Sequence, residues 1–228
     1  MRLVLCILLP LAVVACAAPQ RGKEPAAPAA PVAAAPAAIA EAWQVTGSQF
    51  VVSVYRDGPM QPPGHDPLIT SQAITGQVAL REPLTDSRFD LRLPLNSLVV
   101  DDPEARNRAG GPFAAPVPDR DREATRRNLL GERVLDAARQ GELRLTAESI
   151  SGGPGRYEAR VRVALAGQEH VVAAPFTVAV DGERLVAHAD FSLTHAELGL
   201  EPFAVALGAL RVRADFEVDV TVEARRRS

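Results

Sequence analysis

The side chains able to do chemistry are few and scattered. Four histidines, His65, His170, His188 and His195, occupy four separate stretches, with no HxH or HExxH spacing that would converge on a metal ion. His188 falls on the polar register of an alternating run, and His170 and His195 border turns, so solvated rings are expected and no metal ligand. Asp101, Asp102 and Glu104 could bind a cation or exchange a proton. Asp102 before Pro103 is also how a turn starts, and an exposed acidic loop is the expectation. No serine sits in a GxSxG elbow and no glycine-rich loop cradles phosphate. The chain therefore offers no catalytic residue and reads as a non-enzyme.

The elements around these residues alternate with a period of two. Phe89, Leu91, Leu93 and Leu95 are interleaved with Arg88, Asp90, Arg92 and Pro94, which gives one apolar and one wet face, as in a half-buried strand. In the last run Val212, Ala214, Phe216, Val218, Val220 and Val222 alternate with charged residues and a threonine. At helical spacing those charges would land on every face. Similar runs cover 51–55, 74–80, 143–150, 157–165, 171–180 and 185–193. Gly152-Gly153-Pro154-Gly155, Ala166-Gly167 and Asp181-Gly182 punctuate them, the last two suiting tight hairpins that need positive φ. About eight antiparallel strands follow, a common number for a closed barrel that is filled by side chains or holds one ligand. The expected fold is all-β, an eight-stranded antiparallel barrel.

Ala159, Ala173, Ala187, Ala189 and Ala214 fall in or near the apolar stripes. Small inward walls would leave volume for a hydrophobic ligand; equally, phenylalanines reaching across could fill it. Charges of both signs are interleaved and the net charge is −3, which argues against a nucleic-acid surface.

The first residues do not belong to the barrel. Arg2 precedes an apolar run, 3–14, too short to span a bilayer, which ends in Val13-Val14-Ala15-Cys16. This resembles the bacterial lipoprotein signal peptide, residues 1–15, with lipidation at Cys16; an ordinary secretory signal or an uncleaved anchor is the alternative. Cys6 would leave with that segment, and one cysteine forms no internal disulfide. Ala17 after the cysteine resembles the sorting signal for the outer membrane, facing the periplasm. Residues 16–42 collapse to alanine and proline, the composition of a tether that packs no core. The folded domain is expected over 43–224, with a basic tail at 225–228.

A long polar excursion, 101–138, interrupts the strands and calls for a lid, a covering helix or a functional loop. Within it 122–139 is expected to be a helix capped by Asp121 or Thr125 and stopped by Gly141, with Leu129, Leu130, Val134, Leu135 and Ala138 as its apolar stripe. Thr194-His195-Ala196-Glu197 has capping-box spacing, so 198–207 should form a short apolar crossover.

The domain resembles the YceI family of periplasmic polyisoprenoid-binding proteins. The likeness rests on Trp43, Ser48-Gln49-Phe50, Leu93-Pro94-Leu95-Asn96-Ser97-Leu98, Asp102-Pro103 with Arg106 and Gly110, Thr125 to Gly131, Val134-Leu135-Asp136-Ala137, Gly167 with His170, and Leu198 to Phe203. Tyr55-Arg56-Asp57 departs from the early histidine of the family, and the glycine-bearing connection 56–70 is unusual. The resemblance implies a lipocalin-like barrel around a long amphiphile, an isoprenoid quinone or related lipid, with no cofactor and no catalysis. Cavity-facing candidates are Phe50, Val52, Phe89, Leu91, Val161, Phe176, Phe191, Phe216 and Val218, with Leu129, Leu130, Val134 and Leu135 as the lid. Expected partners are the hydrophobic ligand, the membrane through the anchor, and a second copy in a homodimer. The rival reading is a structural envelope lipoprotein with a filled barrel acting through its surface. A hydrolytic site that the sequence does not announce comes third.

Overall fold

The computed structural model describes residues 43–57, 64–205 and 210–227; the expected signal segment, Cys16 and the expected tether lie outside the described residues. In chain order the elements are β1 (Trp43–Asp57), β2 (Leu68–Ser71), β3 (Thr75–Ala79), β4 (Arg88–Pro94), β5 (Val99–Val100), α1 (Pro103–Ala109), α2 (Asp119–Leu130), α3 (Ala137–Gln140), β6 (Glu142–Gly153), β7 (Arg156–Leu165), β8 (Gln168–Asp181), β9 (Arg184–Thr194), β10 (Ala204–Val205) and β11 (Leu210–Arg226). No described helix is long and apolar enough to cross a membrane.

The strands form a closed antiparallel barrel in which β11 returns to pair with β1 along nearly its whole length, from Trp43 opposite Arg226 to Asp57 opposite Arg211. Eight strands make the wall: β2 and β3 lie one after the other against β1, and β5 continues the path of β4 beside β2. Closure pairs the backbone groups that an open sheet would expose at its edges. The β7 to β8 hairpin turns on Ala166 and Gly167, both at positive φ (52° and 75°), the twist that two-residue loops require. Gly76 in β3 has a different reason to be glycine. A Cβ there would lie 2.2 Å from the Asp90 carbonyl oxygen, so only the bare backbone lets β3 approach β4.

One end of the barrel is sealed by Trp43, Leu185 and Ala224, all nearly inaccessible, with Val78 and Leu80 packed on them. The opposite end carries the excursion and the connection from β9 to β11. Here the expected helix is broken. α2 begins after Pro118 without a side-chain cap and ends at Gly131; a tight turn follows, Asp136 adopts left-handed φ (44°), and α3 is a separate short helix. Glycine is a poor helix former, and the Leu135 N–H bonds back to the Leu129 carbonyl at 3.2 Å, which folds the chain onto itself. Ala138 is consequently exposed, and Ala137 packs toward the core in its place. Arg126 pins α2 to the corner after β4 through the carbonyls of Asn96 (2.9 Å) and Leu98 (3.2 Å).

Asp101 is not part of an exposed loop. Asp102 caps α1, its carboxylate accepting from Ala105 N–H at 2.8 Å, and α1 brings Arg106 back over the chain. Asp101 is fully inaccessible and accepts from Leu68 N–H (2.9 Å) and Arg106 Nη1 (2.6 Å), with His65 Nε2 at 2.7 Å. The network ties the connection after β1 to α1 on the outside of the barrel. Beside it Phe113 and Ala105 bury against Leu68, Val51 and Tyr55. Burial first, then a hydrogen bond to Glu217 at 2.6 Å, pushes the Tyr55 phenol up to about 12.

Candidate functional site

The inward register of the wall encloses a cavity of about 320 Å³ that runs along the barrel, within the lower range of small-molecule pockets. Its lining is almost wholly hydrocarbon. All of Phe50, Val52, Phe89, Leu91, Val161, Phe176, Phe191, Phe216 and Val218 lie on it. They do so because each occupies the inward parity of its strand. Tyr157 and Phe176 stack at 5.6 Å between centroids, cross-strand neighbours on β7 and β8.

Small residues shape the void unevenly. Ala159, Ala187 and Ala189 line it, whereas Ala173 and Ala214 are exposed and Ala174 faces inward. In β8 the outward residues Val171 and Ala173 are as apolar as the inward Val172 and Ala174, so local polarity does not reveal parity there. Ala214 is displaced by a bulge: β1 pairs Val54 with Phe216 and then Arg56 with Val212, leaving three β11 residues opposite Tyr55. Bulges of this kind collect at barrel rims.

The covering end is built from two segments. Leu129, Val134 and Leu135 reach the cavity, while Leu130 packs on the core without lining it. Thus the turn after α2, rather than a continuous helix, supplies much of the cover. Leu198 and Leu200 of the β9 to β11 connection complete it. Arg133 stands over the Phe203 ring at 6.0 Å and joins the two segments. A turn of 3-10 helix at His195–Leu198 opens with the full capping box: Glu197 N–H donates to Thr194 Oγ1 (3.3 Å), and Thr194 N–H donates to Glu197 Oε2 (2.7 Å). The Thr194 backbone N–H, helped by its hydroxyl, holds the Glu197 carboxyl below its ordinary value.

The histidines sort differently from the solvated set expected. His188 is exposed, with Nδ1 3.2 Å from Thr221 Oγ1. His170 is partly buried, its ring lies against Gly199, and Nε2 is inaccessible with no hydrogen-bond partner among the described residues. His195 is partly buried on the cavity lining, bonded through Nδ1 to the Ala214 carbonyl at 2.9 Å and edge-on to Phe216 at 5.0 Å. His65 belongs to the buried Asp101 network. Among the described residues no group of three or more His, Cys, Asp or Glu side chains could hold a metal.

A closed antiparallel barrel with helical cover at one end and an apolar interior is a lipocalin-like fold. Among solved structures the same fold is found in Burkholderia cenocepacia BcnA, 12% identical with a TM-score of 0.55 over 78% of this chain and 96% of that one. A polyisoprenoid binding domain from Saccharophagus degradans implicated in plant cell wall breakdown is also similar, at 12% identity and a TM-score of 0.54, covering 83% of this chain and 100% of its own. Campylobacter jejuni YceI matches with 8% identity and a TM-score of 0.50, over 70% and 85% of the two chains. The fold is YceI-like. No protein-family model matches the chain, and no curated protein matches it.

Proposed function

We propose that this chain binds a hydrophobic amphiphile, an isoprenoid quinone or related lipid, and sequesters or carries it in the bacterial cell envelope. The observation that carries this reading is the cavity along the barrel axis, lined almost entirely by hydrocarbon. A void of that kind offers few partners to a polar substrate and favours apolar chains by removing their surface from water. The polyisoprenoid binding domain of Saccharophagus degradans, which shares the fold, supports the choice of ligand class. Cys16 would carry the acyl anchor, and the alanine and proline tether would hold the barrel near the periplasmic face of the outer membrane.

Organic extraction of the purified protein followed by mass spectrometry should return a stoichiometric isoprenoid lipid. A barrel that is empty, and that takes up neither quinones nor fatty amides, overturns the proposal. Cys16→Ser should move the protein from the membrane to the soluble fraction; unchanged partition contradicts the anchor.

A further inference from the structure

Few of the residues lining the cavity bring a polar side chain, and they are not equivalent. Ser87 is committed, its hydroxyl accepting from Arg81 N–H at 2.9 Å. Arg88 is exposed on the outward register of β4 and curls onto its own neighbours, donating to the Ser87 carbonyl at 2.7 Å. His188 is likewise exposed, held against Thr221.

His195 differs in every respect that matters. It sits at the covered end, where the cavity approaches the rim. Ala214 lies beyond the last β9 to β11 pair, Asp215 with Thr194, and within the β1 bulge, so its carbonyl is free of the ladder and takes the ring. A carbonyl oxygen only accepts, so Nδ1 of His195 carries the proton, and Nε2 of the neutral ring keeps its lone pair. Nε2 has no partner among the described residues. The edge contact with Phe216 and the Nδ1 bond fix the ring plane, and the Thr194 to Glu197 capping box fixes the backbone beneath it. One oriented acceptor therefore stands at the mouth of an apolar tube.

We infer that His195 selects the head group: Nε2 accepts a hydrogen bond from the hydroxyl of a neutral isoprenoid, a prenyl alcohol or a hydroquinone, whose chain fills the barrel. The inference rests on the proposed binding function. An anionic head would meet a lone pair on the ring and no inward-facing cation, and a buried charge without a partner is costly. A bare hydrocarbon would leave the acceptor unpaired.

The full-length mature protein, stripped of co-purifying lipid, is titrated with three probes of matched chain: geranylgeraniol, geranylgeranoic acid and phytane. Wild type should bind geranylgeraniol most tightly. His195→Leu should weaken geranylgeraniol about two- to tenfold, the net worth of one hydrogen bond, and leave phytane unchanged. His195→Gln, whose amide oxygen accepts, should recover most of the loss. Equal loss of alcohol and hydrocarbon in both variants would show that the ring only packs. An acid that binds as tightly as the alcohol, gaining as pH falls, would show an imidazolium site; either result overturns the assignment while leaving the cavity reading intact. Binding of none of the three by wild type overturns the cavity reading itself.

Discussion

Asp101→Asn tests the network that holds the outer loop and α1 to the barrel. Asp101 is wholly inaccessible and Arg106 is 3% exposed, so the substitution strands a buried guanidinium without its counter-charge. Breaking such a pair from one side costs about 3–5 kcal/mol. Arg106 retains the carbonyls of Asp66 (2.8 Å) and Ala115 (3.2 Å), which places the expected loss near the lower figure, about 3 kcal/mol. For a domain of this size that lowers Tm by about 6–12 °C. Asparagine is the right probe because Asp101 sits at φ 55°, a left-handed conformation that Asn tolerates and most residues do not; backbone strain therefore does not confound the result. Urea unfolding followed by circular dichroism measures the loss. Arg106→Gln should be similarly destabilising, and the double variant, with neither charge left to strand, should lose clearly less than the sum of the two. A loss below about 1 kcal/mol for Asp101→Asn, where unpaired burial calls for several, or strictly additive variants, would refute the reasoning.

Three further outcomes follow from the geometry. Ala159→Leu places added methyl groups in the void beside a 2% exposed wall position; in lipid-free protein it should hold or raise stability by up to about 2 kcal/mol while reducing uptake of a fluorescent lipid. A filled core would instead lose about 1–3 kcal/mol. Gly76→Ala should destabilise by at least about 1–3 kcal/mol in chemical unfolding, since φ is +134° and its Cβ would collide with the Asp90 carbonyl. The folded state favours the neutral Tyr55 phenol, whose value rises from 10 to about 12. The stability it contributes is therefore complete below pH 10 and lost as pH climbs through 12, and Tyr55→Phe should flatten that part of the pH–stability curve.

The barrel was legible in the sequence wherever polarity marked one face. β11 alternates charges with valines, and β4 alternates arginines and aspartate with leucines, so inward parity followed directly. The alternation alone therefore gives Phe89, Leu91, Phe216 and Val218 an inward direction, and each lines the cavity. Parity is not legible in β8, where both faces are apolar, and Ala173, expected on the inner wall, is exposed. α1 and the burial of Asp101 were hidden for another reason: the partners of that carboxylate, Leu68 N–H and the Arg106 guanidinium, come from different elements. The broken helix was hidden by its own stripe. Leu130, Val134 and Ala138 keep helical i, i+4, i+8 spacing, but Val134 and Leu135 meet the cavity through a turn that Gly131 introduces.

The two largest departures of the structure from the sequence pattern are linked. Ala214 belongs to the clearest alternating run of the chain and was expected to face inward; His195 was expected to be solvated. A register shift between β1 and β11, invisible in either strand alone, turns Ala214 out and frees its carbonyl, and that carbonyl captures the His195 ring on the cavity lining. Local pattern and final structure disagree at this rim because a bulge spends ladder hydrogen bonds to aim a side chain. Such disagreements gather at functional positions more than in scaffolds. The wall of the barrel, which follows its pattern, accounts for apolar capacity; the rim, which breaks it, is where a barrel otherwise indifferent to head groups acquires an oriented acceptor.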